Sequence, residues 1–236
     1  MGIFYKKTNR TISYWSRKCY IRLVILTICL LVFFFQISSP DKNFIVYYFG
    51  FKPASLFNNL NFDTFPPLLT LFTSLFLHGG WMHLIGNMLY LWIFADNVED
   101  KLGTKKFIAF YIASGIFASL SQSIFNLDSN IPMIGASGSI AGVLGAYLHF
   151  FPRAKILVLV PFIIFFTVRI PAFVLLIFWF IYQFLNLSNL DSSVAWVAHI
   201  GGFIFGYFFA IFSRSKKQNK TGKSIFLNKN NKGPWN

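Results

Sequence analysis

Charge is scarce in this sequence. Of its 236 residues only 12% are Asp, Glu, Lys or Arg, and the acids number seven. A soluble domain carries about a quarter charged residues, so an ordinary water-exposed globule is excluded. With 56% hydrophobic and 20% aromatic residues, the chain falls in the membrane class, with helices as the expected spanning element. Cysteine is also sparse. Cys19 and Cys29 sit beside and within the first apolar run, so neither a disulfide framework nor a zinc site is expected, and packing is the reading for both. No internal repeat of 20–50 residues is visible. One compact bundle, without a second folded domain, is expected.

The few acids are also in the wrong places for several chemistries. Asp41, Asp63, Asp96, Glu99, Asp100, Asp128 and Asp191 all fall in loops or at the ends of apolar runs. That leaves no carboxylate pair within a membrane for aspartyl proteolysis, and no buried carboxylate of the kind proton-coupled transporters use. Neither His78 nor His83 begins a His-Glu-x-x-His motif, which a zinc protease would usually show. No metal and no cofactor are expected.

What is abundant is apolar sequence. Six runs approach the ~17–25 residues a bilayer crossing needs: Leu23–Ile37, Gly79–Ala95, Phe107–Phe125, Ser137–Phe151, Pro171–Leu187 and Val194–Phe212. The net charge of +14 could suggest a nucleic-acid partner, but its distribution reads as topology. With six spans and a cytoplasmic N-terminus, all Lys and Arg residues except Lys42 and Lys52 lie on the cytoplasmic side. A seventh run, Ile156–Phe166, contains Pro161. It is too short to cross, and crossing would reverse the tail and spoil this bias, so it is expected to be interfacial or re-entrant. The expected organisation is a basic cytoplasmic segment over 1–22, a six-span bundle over 23–212, and a basic, polar cytoplasmic tail over 213–236 that can touch anionic lipid. The first run lacks a clear small-x-small cleavage site and reads as a retained anchor rather than a signal peptide. Partners are expected in the bilayer, not among nucleic acids.

Polar groups inside hydrocarbon need partners or tasks. Those left inside are His83, Asn87, Ser137, Gln183 and His199. Taken singly, each is more simply explained as a hydrogen-bonded link between helices. In the six-span topology, however, the second, fourth and sixth spans all enter from outside. At ~1.5 Å per residue, His83, Asn87, Ser137 and His199 then fall within roughly the outer 12 Å of a ~30 Å core. Two stripes of small residues, Gly138, Ala141, Gly142 and Gly145 on the fourth span and Ala198, Gly202, Gly206 and Ala210 on the sixth, allow close helix approach.

That convergence suits a serine hydrolase. A neutral imidazole at His199 can take the Ser137 proton and later return it to a leaving amine. The start of the fourth helix offers unpaired N–H groups and a positive dipole end. His83 and Asn87, spaced i, i+4, face one way and can donate to the same developing oxyanion. With no carboxylate at hand, the pair would be a dyad, and nothing in the spacing shows what fixes the His199 tautomer.

Three blocks, "HGGWMHLIGN" over His78–Asn87, "GASG" around Ser137 and "AHIGGFIFG" over Ala198–Gly206, resemble the rhomboid intramembrane serine proteases, as do "NVEDKLG" over Asn97–Gly103 and "FPRAK" over Phe151–Lys155. The resemblance implies an all-α, six-transmembrane-helix bundle that cleaves transmembrane segments of other proteins near the outer face. It implies a Ser137–His199 dyad, oxyanion stabilisation by His83 and Asn87, and a structural role for His78. It also implies that Trp179 and Gln183, on one face of the fifth span, lie near substrate access and touch substrate. Localisation to a bacterial inner membrane with both termini cytoplasmic is expected. The alternatives are an inactive relative that binds membrane clients, which would usually have lost the dyad, and a channel or transporter. The latter conflicts with the Phe, Ile and Leu filling the inner halves of the spans.

Overall fold

The computed structural model describes residues 20–57, 65–159, 167–189 and 194–213. Most of the basic segment 1–22, nearly all of the tail 213–236, and Cys19 lie outside the described residues. The chain opens with α1 (Ile21–Ser38). Its buried positions Ile21, Ile25, Cys29 and Phe33 repeat every four residues, a single stripe packed on α5 (Trp81–Leu102). Arg22 closes the contact at the N-terminal end of α1. It bonds the Trp92 carbonyl and Asp96 Oδ2, each at 2.9 Å, and its guanidinium lies 3.9 Å from the Trp92 ring centroid.

Between α1 and α5 the described residues form three short α-helices that hydrophobic runs alone do not announce: α2 (Lys42–Phe49), α3 (Pro53–Phe57) and α4 (Pro67–Thr73). Asp41 caps α2 through the Asn43 and Phe44 N–H groups, both at 2.9 Å. This gives one of the scarce acids a local structural task. Lys52 is buried, donates to the Tyr47 carbonyl at 2.7 Å and sits over the Tyr47 ring. Burial pushes its ammonium pKa below the ordinary lysine value.

α5 runs past the apolar stretch, carrying Asp96, Glu99 and Asp100 in its last turns, and stops at Gly103 with φ +80°. α6 (Thr104–Ile124) follows at once. α7 (Ser137–Phe150) is buried on every side from Gly138 to Tyr147. It is only 14 residues long, about 21 Å; surrounded by protein rather than lipid, it need not span the hydrocarbon itself. α8 (Ala172–Leu185) and α9 (Trp196–Phe212) complete the bundle. Each expected apolar run thus holds one of α1, α5, α6, α7, α8 and α9. By length and composition α1 and α6 each suffice to cross a bilayer. α4 with its following turn and α5 make a third span if that pair, bent by 82°, counts as one, while α8 and α9 are apolar but shorter. The surface is apolar too, with Leu31, Phe35, Phe178 and Phe212 all pointing outward. The described chain is mostly helical and built for lipid.

The expectation of an all-α chain needs one correction. β1 (Lys155–Leu159) pairs antiparallel with β2 (Thr167–Pro171), in register from Lys155↔Pro171 to Leu159↔Thr167. Leu159 and Thr167, on either side of residues 160–166, are therefore paired with each other, and 160–166, the greater part of the run Ile156–Phe166, lies outside the described residues. A strand pair satisfies its backbone internally where water is lacking, which an unpaired apolar segment cannot do. Leu157↔Arg169 pairing brings Arg169 to the strand that carries Lys155, so these cations share one end of the bundle.

α7 and α9 pack most extensively of all element pairs, and glycine is the reason. A Cβ added at Gly202 would strike the Gly138 carbonyl, one at Gly206 the Gly142 carbonyl, and one at Gly145 the Phe203 carbonyl. Gly138 meets Gly202 and, four residues on, Gly142 meets Gly206, so the two helices run parallel. α6 joins them: Gly201 abuts Ser121, and Gly115 abuts Ser139.

Candidate active site

The segment before Ser137 is held by backbone pairing from two directions. Phe51 and Met133 exchange N–H···O bonds of 3.1 and 2.7 Å, and the Gly135 N–H donates to the Ser74 carbonyl at 2.9 Å. Gly135 itself has φ +122°, a conformation that strongly favours glycine. The chain then turns into α7, whose first residue is Ser137. The hydroxyl is half-buried beside the first, unpaired N–H groups of the helix.

α5 delivers His83 and Asn87 to the same place. The start of α5 is tied down by α1: Gln36 and the His78 backbone form a reciprocal amide pair, His78 N–H to Gln36 Oε1 at 3.1 Å and Gln36 Nε2 to His78 O at 3.2 Å. The His78 ring is buried, bonds the Phe76 carbonyl through Nδ1 at 3.2 Å, and stands 5.3 Å edge-on from the His83 ring. These are structural contacts. His83 accepts the Gly79 N–H at Nδ1, 3.4 Å away, so in the neutral ring Nε2 carries the proton. That Nε2 would lie 2.8 Å from a Cβ added at Gly135, and Asn87 Nδ2 would lie 3.7 Å from it. Asn87 is buried and its Nδ2 has no hydrogen-bond partner among the described residues. Two side-chain donors, one of them unsatisfied, thus converge beside the backbone two residues before Ser137.

α9 brings His199. Its helix start is capped from α6, where Gln122 Oε1 accepts the Ala198 N–H at 3.2 Å. Gly202, one turn past His199, abuts the carbonyl of Gly138, the residue after Ser137. This sets His199 and Ser137 at one level of two parallel helices. His199 Nδ1 is 2.9 Å from Gln183 Oε1, and its ring is flanked by Trp179 at 5.9 Å and Trp196 at 6.2 Å. Gln183 is buried, with its Nε2 donating to the Trp179 carbonyl at 2.8 Å. Both of its polar ends are therefore engaged inside the protein, while Trp179 is half-buried.

Ser139, the other serine of the segment, is fully buried, with Oγ against Gly115 of α6. At about 100° per residue it lies on roughly the opposite face of α7 from Ser137. Among the described residues, no group of three or more His, Cys, Asp or Glu side chains could hold a metal ion. The residues that spacing did not reveal are Gln36, Gln122 and the inward role of Gln183. All three are neutral amides in apolar runs, and that polarity was their one visible signal.

Comparison with known proteins places this architecture. The chain matches the rhomboid domain over residues 67–216. It is 30% identical to the rhomboid protease GluP of Bacillus subtilis over 221 residues, 93% of this chain and 40% of that protein. It is 34% identical to the mitochondrial presenilin-associated rhomboid-like protein A of Danio rerio, over 52% of this chain and 31% of the relative. It is 32% identical to the mitochondrial rhomboid protein 1 of Saccharomyces cerevisiae, over 58% and 40%. The chain spans less than half the length of these relatives. On the domain match and on kinship across nearly its whole length, the chain belongs to the rhomboid family, a family of integral membrane proteins.

Proposed function

We propose that the protein is an intramembrane serine endopeptidase that cleaves transmembrane segments of other membrane proteins near the outer face of the bilayer. Ser137 Oγ attacks the scissile carbonyl carbon while His199 accepts the hydroxyl proton. The carbonyl oxygen becomes an oxyanion held by His83 Nε2–H, Asn87 Nδ2–H and the N–H groups opening α7. Collapse breaks the C–N bond, and His199 gives its proton to the leaving amine. Water, deprotonated by the same imidazole, then attacks the acyl-enzyme and releases Ser137.

The observation that carries this reading is the pair of donors at Gly135. A buried donor without an acceptor is costly, about 1–3 kcal/mol, and Asn87 Nδ2 is one. It is explained if its acceptor is an oxygen that arrives with substrate. Trp179, half-buried beside His199, is the remaining candidate for a substrate-contacting side chain in α8. The six-span topology with both ends cytoplasmic, and the division into segments 1–22, 23–212 and 213–236, belong to the same reading and rest on the charge distribution. A bacterial plasma membrane is part of the same proposal: the Bacillus subtilis relative matches over 93% of this chain, while relatives named mitochondrial match over a little more than half of it.

The test is cleavage of a tagged single-span protein by the purified chain in proteoliposomes. Ser137→Ala and His199→Ala each abolish fragment formation while the protein keeps its helical content and melting behaviour. Undiminished cleavage by Ser137→Ala overturns the assignment.

A further inference from the structure

α8 is apolar almost throughout, and it buries only Ala172, Leu176 and Gln183. Its one amide side chain is thus one of the three it turns fully inward, against His199 of α9. The orientation of that amide is determined by chemistry. Gln183 Nε2 lies 2.8 Å from the Trp179 carbonyl one turn back. A carbonyl only accepts, so the nitrogen of the amide belongs on that side and the oxygen on the other. Oε1 then faces His199 Nδ1 at 2.9 Å. An amide oxygen cannot donate, so Nδ1 carries the proton. In a neutral imidazole this leaves Nε2 bare.

We propose that Gln183 is the positioning residue that holds His199 in the tautomer a general base requires. This rests on the proteolytic reading above. Gln183 supplies the acceptor that a carboxylate supplies in the triads of water-soluble serine proteases, but as a neutral group. In an apolar bundle an ionised carboxylate would carry a heavy desolvation penalty; an amide satisfies both its own donor and the imidazole without a buried charge. The rings of Trp179 and Trp196 both pack against the imidazole, at 5.9 and 6.2 Å between centroids.

The direct test is ¹⁵N NMR of the histidine-labelled full chain in detergent or nanodiscs, with the His199 signals assigned by their loss in His199→Gln. The expected wild-type state is protonated at Nδ1 and bare at Nε2. Gln183→Leu, which keeps volume and removes the acceptor, is expected to give a mixture of tautomers. An Nε2–H tautomer in the wild type overturns the proposal, as does an unaltered tautomer in Gln183→Leu. This readout needs no substrate, so it stands apart from failure of the proteolytic reading, which would show as no Ser137-dependent cleavage.

Kinetics supply the second arm. Gln183→Leu is expected to lower kcat at least about tenfold, a fraction of the ~10²–10⁴ a general base contributes. KM is expected to move by less than about twofold. Gln183→Glu is expected to restore most of the lost rate, because a carboxyl kept neutral by burial can donate to the Trp179 carbonyl and accept from Nδ1. A substrate-contact role for Gln183 would instead raise KM and leave kcat in place, and that result overturns the proposal.

Discussion

The Cα of Gly135 and the Nε2 edge of the His83 imidazole leave no room between them for a methyl group, since a Cβ at residue 135 would stand 2.8 Å from Nε2. The backbone there is also in the positive-φ region, at +122°. Gly135→Ala therefore meets two obstacles at once. The conformation should cost about 1–3 kcal/mol, read as a lower melting temperature in detergent. The displaced imidazole should lower turnover beyond what reduced stability explains, measured at a temperature where the variant is fully folded.

Asn87 Nδ2 and His83 Nε2 are proposed to find their acceptor mainly in the transition state. His83→Ala or Asn87→Ala should lower kcat by about 10²–10³, with KM little altered. Steady-state kinetics on a reconstituted single-span substrate separates the two. A change confined to KM would assign these side chains to ground-state binding instead.

Two glycines in the bundle should behave oppositely. At Gly206 an added side chain meets backbone, with the Gly142 Cα 2.6 Å from the Cβ position, and backbone in two packed helices cannot step aside. Gly206→Val should destabilise the protein by about 1–3 kcal/mol through forced separation of α7 and α9. At Gly86, on the same helix as His83, nothing lies within 4 Å of an added Cβ. Gly86→Ala should be neutral or stabilising by up to about 1 kcal/mol, the helical penalty of glycine. Thermal unfolding of the two variants side by side checks the contrast.

Arg22 is buried at the N-terminal end of α1, whereas Asp96 retains 31% side-chain exposure. Arg22→Met removes the ion pair, the bond to the Trp92 carbonyl and the stacking on the Trp92 ring together. With one partner partly solvated, the loss should be about 1–3 kcal/mol rather than the larger cost of a fully buried pair. Arg22→Lys should recover only part of it, because an ammonium cannot stack on the Trp92 ring as the planar guanidinium does. A double-mutant cycle with Asp96→Asn isolates the ion-pair share.

Much of this molecule was legible because long apolar runs with small-residue stripes state their own geometry. The stripe Gly138, Ala141, Gly142, Gly145 predicted the close approach of α7 to α9, and the glycine contacts at Gly202 and Gly206 account for it. The i, i+4 spacing of His83 and Asn87 placed both on one face, and both converge on Gly135. The short helices α2 to α4 were not legible, because at five to eight residues they are too short for a period to register. The hairpin β1–β2 was hidden in a run whose length excluded a crossing without specifying a strand. The amide contacts escaped for a different reason. Gln183 meets His199 across 16 residues, and Gln36 meets His78 across 42. A neutral polar residue in an apolar run signals a need for a partner without naming it.

The central claim is that Ser137, and not the adjacent buried Ser139, is the nucleophile activated by His199. Labelling the folded chain with a fluorophosphonate and locating the adduct by peptide mass spectrometry tests it most directly. The account predicts a single adduct on Ser137, absent in Ser137→Ala and strongly slowed in His199→Ala. An adduct on Ser139, or labelling of Ser137 at an unchanged rate in His199→Ala, would contradict it.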